Sequence, residues 1–147
     1  MKVIVEAKSG WDVENINDAR KNHPRTDLIV RNRETGEEYE ISVKAKQGKA
    51  WPSVKGIAKS NEYIVFASLT HDADPEFFLL NNRQWGALLK KLLPTREAGG
   101  EIINGAIVWR WVKDGKNKSF KGTAISREEI VRYKGNWAAL PGIEENA

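Results

Sequence analysis

Thr26-Asp27-Leu28-Ile29-Val30, a turn at Glu34-Thr35-Gly36, and then Tyr39-Glu40-Ile41-Ser42-Val43-Lys44 form the stretch on which the reading of this chain turns. The two runs, taken as 27–32 and 38–46 and joined by Arg33-Glu34-Thr35-Gly36, predict an antiparallel strand pair. Successive side chains of a strand alternate faces, so Glu40, Ser42 and Lys44 share one face and Tyr39, Ile41, Val43 and Ala45 the other. The second set is the apolar one, which puts Lys44 at the polar edge of a core or in a cleft. An Asp and a Lys at the ends of paired strands, with an acid between them, suit an oxygen-ligated cation that holds an attacking water. The plainer reading of the same alternation is the solvated face of a hairpin.

The flanking sequence supplies the rest of a sheet. Tyr63 to Leu69 is a near-continuous apolar run, as expected of a strand buried on both faces. Trp11 to Ile16 alternates in strand fashion, Lys2 to Lys8 reads as a helix stopped at Ser9-Gly10, and 17–24 as a polar loop. Glu76 to Leu80 reads as a further strand. Trp85, Leu88, Leu89, Leu92 and Leu93 then form one helical stripe, with Arg83, Lys90 and Lys91 off it and Pro94 ending it. Beyond Gly99-Gly100, Ala106 to Val112 reads as a strand, 113–121 as a basic turn and Phe120 to Ile125 as its return. Ser126-Arg127-Glu128-Glu129 has capping-box spacing and predicts a short helix stopping near Gly135. The expected organisation is a single domain over 1–143, with a core at 2–93, a strand-turn-helix extension at 101–140 and a tail at 144–147.

Composition narrows the classes. A chain of 147 residues, 40% hydrophobic and 30% charged, suits one core. It has no cysteine, which removes disulfides, thiolate metal sites and cysteine nucleophiles. No apolar run approaches the roughly 20 residues of a membrane span, and the N-terminus lacks a signal-like apolar stretch, so a reducing cytoplasm is the expected compartment. The formal charge of +4 and a pI near 9.3 suit a polyanionic partner.

Asp27, the strand-turn-strand and Ser42-Val43-Lys44 resemble the core of the PD-(D/E)xK nuclease superfamily, which includes restriction endonucleases and Holliday junction resolvases. Gly10-Trp11-Asp12-Val13 is similar to the strand before the family's Asp, and Tyr63-Ile64-Val65-Phe66-Ala67 to the strand after its Lys. The likeness spans Lys2 to Leu93. The family's Pro-Asp pair is spaced here as Pro24-Arg25-Thr26-Asp27, and the acid position of the second motif holds Ser42. The resemblance implies an α/β fold, restriction-endonuclease-like, with a mixed central sheet flanked by helices. It also implies a metal-dependent DNA endonuclease or resolvase-like phosphodiesterase with Asp27, Glu40, Ser42 and Lys44 as catalytic residues. Magnesium, with manganese as substitute, would be held by Asp27, Glu40 and the carbonyl of Val43. The alternative is a catalytically inactive nucleic-acid-binding or regulatory protein.

Past Lys44 the chain interleaves cations with an amide and an aromatic. Lys46, Gln47, Lys49, Trp51 and Lys55 are the expected DNA contacts, with Trp51 either stacking on the nucleic acid or burying itself under the loop. Arg110, Lys113, Lys116, Lys118 and Lys121 form a second basic cluster, suited either to a phosphate backbone or to an ordinary exposed hairpin tip. His71-Asp72-Ala73-Asp74 reads as a polar turn with no supporting ligand group. The first helix, short beside the family's, and the aromatic strand from Ile107 to Val112 leave sheet surface that a symmetric partner could cover, so a homodimer is a possible assembly.

Overall fold

The alternating and apolar runs fold as strands almost wherever they occur. The computed structural model describes residues 11–15, 27–48, 50–69, 73–96 and 98–141. The helix expected over 2–8, the loop at 17–24, His71, Asp72, Lys49 and the tail lie outside them. In order come β1 (Trp11–Asn15), β2 (Leu28–Asn32), β3 (Glu38–Lys46), β4 (Ala50–Val54), β5 (Glu62–Ser68) and β6 (Glu76–Asn81). After α1 (Asn82–Leu92) follow β7 (Gly100–Ile103), β8 (Ala106–Lys113), β9 (Lys116–Lys121), β10 (Thr123–Ser126) and α2 (Arg127–Ile130).

A five-stranded sheet of order β1-β2-β3-β5-β6 organises the molecule. Its neighbours are antiparallel except β3 and β5, which run parallel with Ser42 opposite Ile64 and Lys44 opposite Phe66. Each face carries its own core. Leu28, Val30, Tyr39, Ile41, Tyr63, Val65 and Leu79 fill one; Ile64, Phe66, Phe78 and Leu80 meet Trp51, Val54, Ile57 and Trp85 on the other. Every residue of β5 is buried, which is why its sequence shows no polar alternation.

The expected α/β architecture with flanking helices is not the one observed. Among the described residues the chain is mostly β, with two further sheets, β4–β10 and β7-β8-β9, and helices of only 11 and 4 residues. Local chemistry explains the difference. The segment linking the parallel strands β3 and β5 contains Pro52 and the positive-φ glycines Gly48 and Gly56, which do not suit a crossover helix. It forms β4 instead, and lays Trp51 edge-on against Phe66 and Phe78 at 5.2 and 6.1 Å.

The C-terminal half also departs from expectation. Residues 113–121 are not a broad turn: Asp114 and Gly115, at φ 53° and 73°, make a two-residue hairpin turn, and β9 begins at Lys116. The run 120–125 is split, since Gly122 separates β9 from β10 and β10 leaves to pair with β4. Strand β7 pairs with β8 through a second tight turn at Asn104-Gly105. The start of α2 is as the sequence predicts, and that of α1 uses the same device. Asn81 and Gln84 form a reciprocal capping box on α1, and Ser126 with Glu129 does so on α2.

Glu76 ties the sheet to the C-terminal segment. Its carboxylate accepts hydrogen bonds from Arg127 Nε and Nη2 at 2.9 and 2.8 Å and lies 2.9 Å from Lys134 Nζ. The Arg127 hydrogen bond, and then that of Lys134, hold the Glu76 carboxyl down at about 2, against an ordinary 4.5. A depressed carboxyl stabilises the fold above its unfolded pKa and loses that contribution as pH falls through its folded one. Glu76→Gln should therefore cost about 1–2 kcal/mol at neutral pH, a figure reduced for solvent screening. In urea melts the gap from wild type should shrink below pH 4.5 and close near pH 2; a gap independent of pH would contradict the clamp.

Candidate functional site

The turn that joins β2 to β3 is built by side chains of its own. Asn32 Oδ1 accepts from Glu34 N and Thr35 N at 2.9 and 3.1 Å, Gly36 takes φ 76°, and Arg31 pairs with Glu38 across the hairpin. This fixes the register that sets Leu28 opposite Ile41 and Ile29 opposite Glu40. The start of β2 is thereby delivered to the second half of β3. There Asp27 is joined to β3 twice: its N–H donates to Ile41 O at 2.9 Å, and its Oδ2 accepts from Val43 N at 2.7 Å. An acid sixteen residues away in sequence is thus bound to the residue immediately before Lys44.

Strand geometry assigns the remaining groups. Glu40 N donates to Asn61 O on the β5 side of β3, whereas Val43 N donates to Asp27 on the β2 side. In a strand the N–H and C=O of one residue point the same way, so the Val43 carbonyl faces the edge where Asp27 sits, past the end of β2. Ser42 is buried at 5% exposure beside Ile64, and Lys44 is half-buried beside Phe66. Lys44 lines a groove of about 300 Å³ with Lys46, Trp51, Pro52 and Ser53. Ser53 sits at φ 55°, an uncommon conformation for a residue with a side chain.

Glu40 lies on the same face of β3, further toward its start. It stands opposite Ile29 and Glu62, and its Oε2 lies 3.8 Å from Lys59 Nζ at the other end of the groove-bearing face. At ~3.3 Å per residue it is roughly 13 Å along the strand from Lys44. The expected role of Glu40 as replacement acid and metal ligand draws no support from this contact, which turns its Oε2 toward the loop before β5. Glu62, the neighbouring buried acid, is spent on that loop, accepting from Ala58 N and Lys59 N at 3.1 and 2.6 Å.

Trp51 is likewise reassigned. At 3% exposure, with its ring against Phe66 and Phe78, it is a core residue and presents no face to a base. Among the described residues its buried indole N–H has no hydrogen-bond acceptor. Lys46, which lines the groove, is exposed, as are Gln47 and Lys55.

Among the described residues no three His, Cys, Asp or Glu side chains cluster as a ready-made metal cage. The oxygen donors at the site are the Asp27 carboxylate and the Val43 carbonyl. That set fits magnesium, which binds through one or two carboxylates, keeps several waters and completes its shell with substrate phosphate, and suits no soft metal. No described helix is long and apolar enough to cross a membrane. Comparison with family models, with curated proteins and with solved structures gives no match.

Proposed function

We propose that this chain is a metal-dependent DNA phosphodiesterase of the endonuclease or resolvase kind, working at Asp27, Val43 and Lys44. The observation that supports the reading is the 2.7 Å hydrogen bond from Val43 N to Asp27 Oδ2, which ties the acid to the residue next to Lys44 in β3. Asp27 and the Val43 carbonyl are the groups that would hold magnesium. When bound, the ion supplies an activated water and draws charge from the phosphate oxygens. Lys44, half-buried at the head of the groove, places an ammonium where negative charge develops on the phosphate, and partial desolvation strengthens that interaction. Lys46 and Lys55 hold the flanking phosphates.

A second reading is favoured by one specific feature. Ser42 puts a neutral hydroxyl where a carboxylate would add charge, which weakens attraction for a dication and suits a protein that binds DNA without cutting it. Calorimetry separates the two. Magnesium titrated into the protein alone should give little heat, and into the protein with a cleavage-resistant phosphorothioate duplex an affinity at least about tenfold higher, lost in Asp27→Ala. Equal weak heats in both titrations, with DNA binding intact, would favour the binder.

A further inference from the structure

We propose that the β8–β9 hairpin is a separate binding surface for single-stranded nucleic acid, with Trp111 and Phe120 stacking on bases and Lys113, Lys116 and Lys118 meeting phosphates. Cross-strand pairing sets the arrangement. Trp109 lies opposite Phe120, Trp111 opposite Lys118, and Lys113 opposite Lys116, so these six side chains share one face. Reading outward from the core, Ile107 is fully buried, the next two rows bring the aromatics, and the last brings the cations at the tip.

The inner aromatic row is anchored through Trp109. Trp109 donates from Nε1 to Gly122 O at 2.9 Å, and its ring lies so close over β7 that a Cβ on Gly100 would come within 2.7 Å of it. Trp111 and Phe120 stay 46% and 45% exposed, and with Gly99 and Trp109 they border a hollow of about 340 Å³. Two large exposed rings on a rigid sheet are costly in water unless something covers them.

Charge identifies what covers them. Residues 106–121 carry Arg110, Lys113, Lys116, Lys118 and Lys121 against Asp114 alone, a surplus equal to the whole chain's formal +4. On the opposite face Arg110 is engaged by Glu101 at 3.6 Å, which leaves the aromatic face the more cationic one. Aromatic rings interleaved with lysines suit unpaired bases, whose π-faces are open, better than a duplex, whose bases stack on one another.

The test reads binding alone, in EDTA, so that it stands apart from any cleavage at Asp27 and Lys44. A labelled 20-nucleotide oligothymidylate and a duplex of equal length are titrated with the protein and followed by anisotropy and tryptophan quenching. The oligothymidylate should bind at least about tenfold more tightly. Trp111→Ala should weaken it about tenfold or more and Trp111→Phe should largely restore it. Lys113→Ala with Lys118→Ala should flatten the log–log salt slope by about 1.4, the value for two single-strand phosphates. Lys90→Ala, on the exposed face of α1, should bind like wild type. Equal affinity for duplex, equal affinity for polyglutamate, or an unchanged Trp111→Ala variant would overturn the proposal.

Discussion

Gly105→Ala is expected to cost the fold about 3 kcal/mol or more, whereas Gly115→Ala should cost about 1. Both glycines close tight hairpin turns with positive φ, 74° and 73°. The backbone penalty for alanine is therefore similar at the two sites. Their surroundings differ. A Cβ on Gly105 would lie 1.6 Å from Ile57 O and 2.6 Å from Ile57 C, while one on Gly115 would meet nothing within 4 Å. The clash is with backbone that cannot swing away, and Ile57 itself is fully buried.

The neighbours deepen the effect at Gly105. Its carbonyl accepts from Trp85 Nε1 at 2.6 Å, and a Cβ on Gly56 would come within 2.3 Å of that same oxygen. The loop after β4, the β7–β8 turn and helix α1 thus meet at one close backbone crossing. Moving the turn would strand the indole N–H of a tryptophan with no exposure, adding the loss of a buried hydrogen bond. Chemical denaturation of the two variants reads the contrast directly. Equal losses would mean that the crossing does not hold the second and third sheets to the first.

The second large effect is at Asp27, where two substitutions separate support of the fold from chemistry. Asp27→Asn keeps an oxygen able to accept from Val43 N but removes the charge that a dication needs. Stability should change by less than about 1 kcal/mol, while magnesium-dependent activity should fall at least a hundredfold. Asp27→Ala removes the acceptor as well and leaves the Val43 N–H without its partner, at about 1–3 kcal/mol. Activity retained in Asp27→Asn would remove Asp27 from the chemistry and leave it a strand-end cap.

Much of the central sheet was legible because its signals are local. The Arg33-Glu34-Thr35-Gly36 turn and the alternation around Ile41 announce β2 and β3, and the unbroken Tyr63–Ser68 run announces a strand buried on both sides. The stripe from Trp85 to Leu93 gave the first helix and the Ser126–Glu129 capping box the second. What stayed hidden depends on tertiary partners. Strand β4 exists because Trp51 finds Phe66 and Phe78 and because β10 arrives from seventy residues away to pair with it. The Asp114-Gly115 turn did carry a readable signal, obscured by the surrounding lysines, which suggested a broad basic turn; Asn104-Gly105 carried one as well and was not read as a hairpin. Within the site, the bond between Asp27 and the residue before Lys44 rests on the strand-pairing register. The contact of Glu40 with Lys59 was not legible, since it depends on a loop whose path the sequence leaves open.

The most direct measurement of the central claim is cleavage of end-labelled DNA, linear and branched, by wild type and Lys44→Ala with magnesium and with EDTA. The account predicts magnesium-dependent products from the wild type, at least a hundredfold fewer from Lys44→Ala, and none in EDTA. No cleavage by the wild type, or equal cleavage by Lys44→Ala, would contradict it.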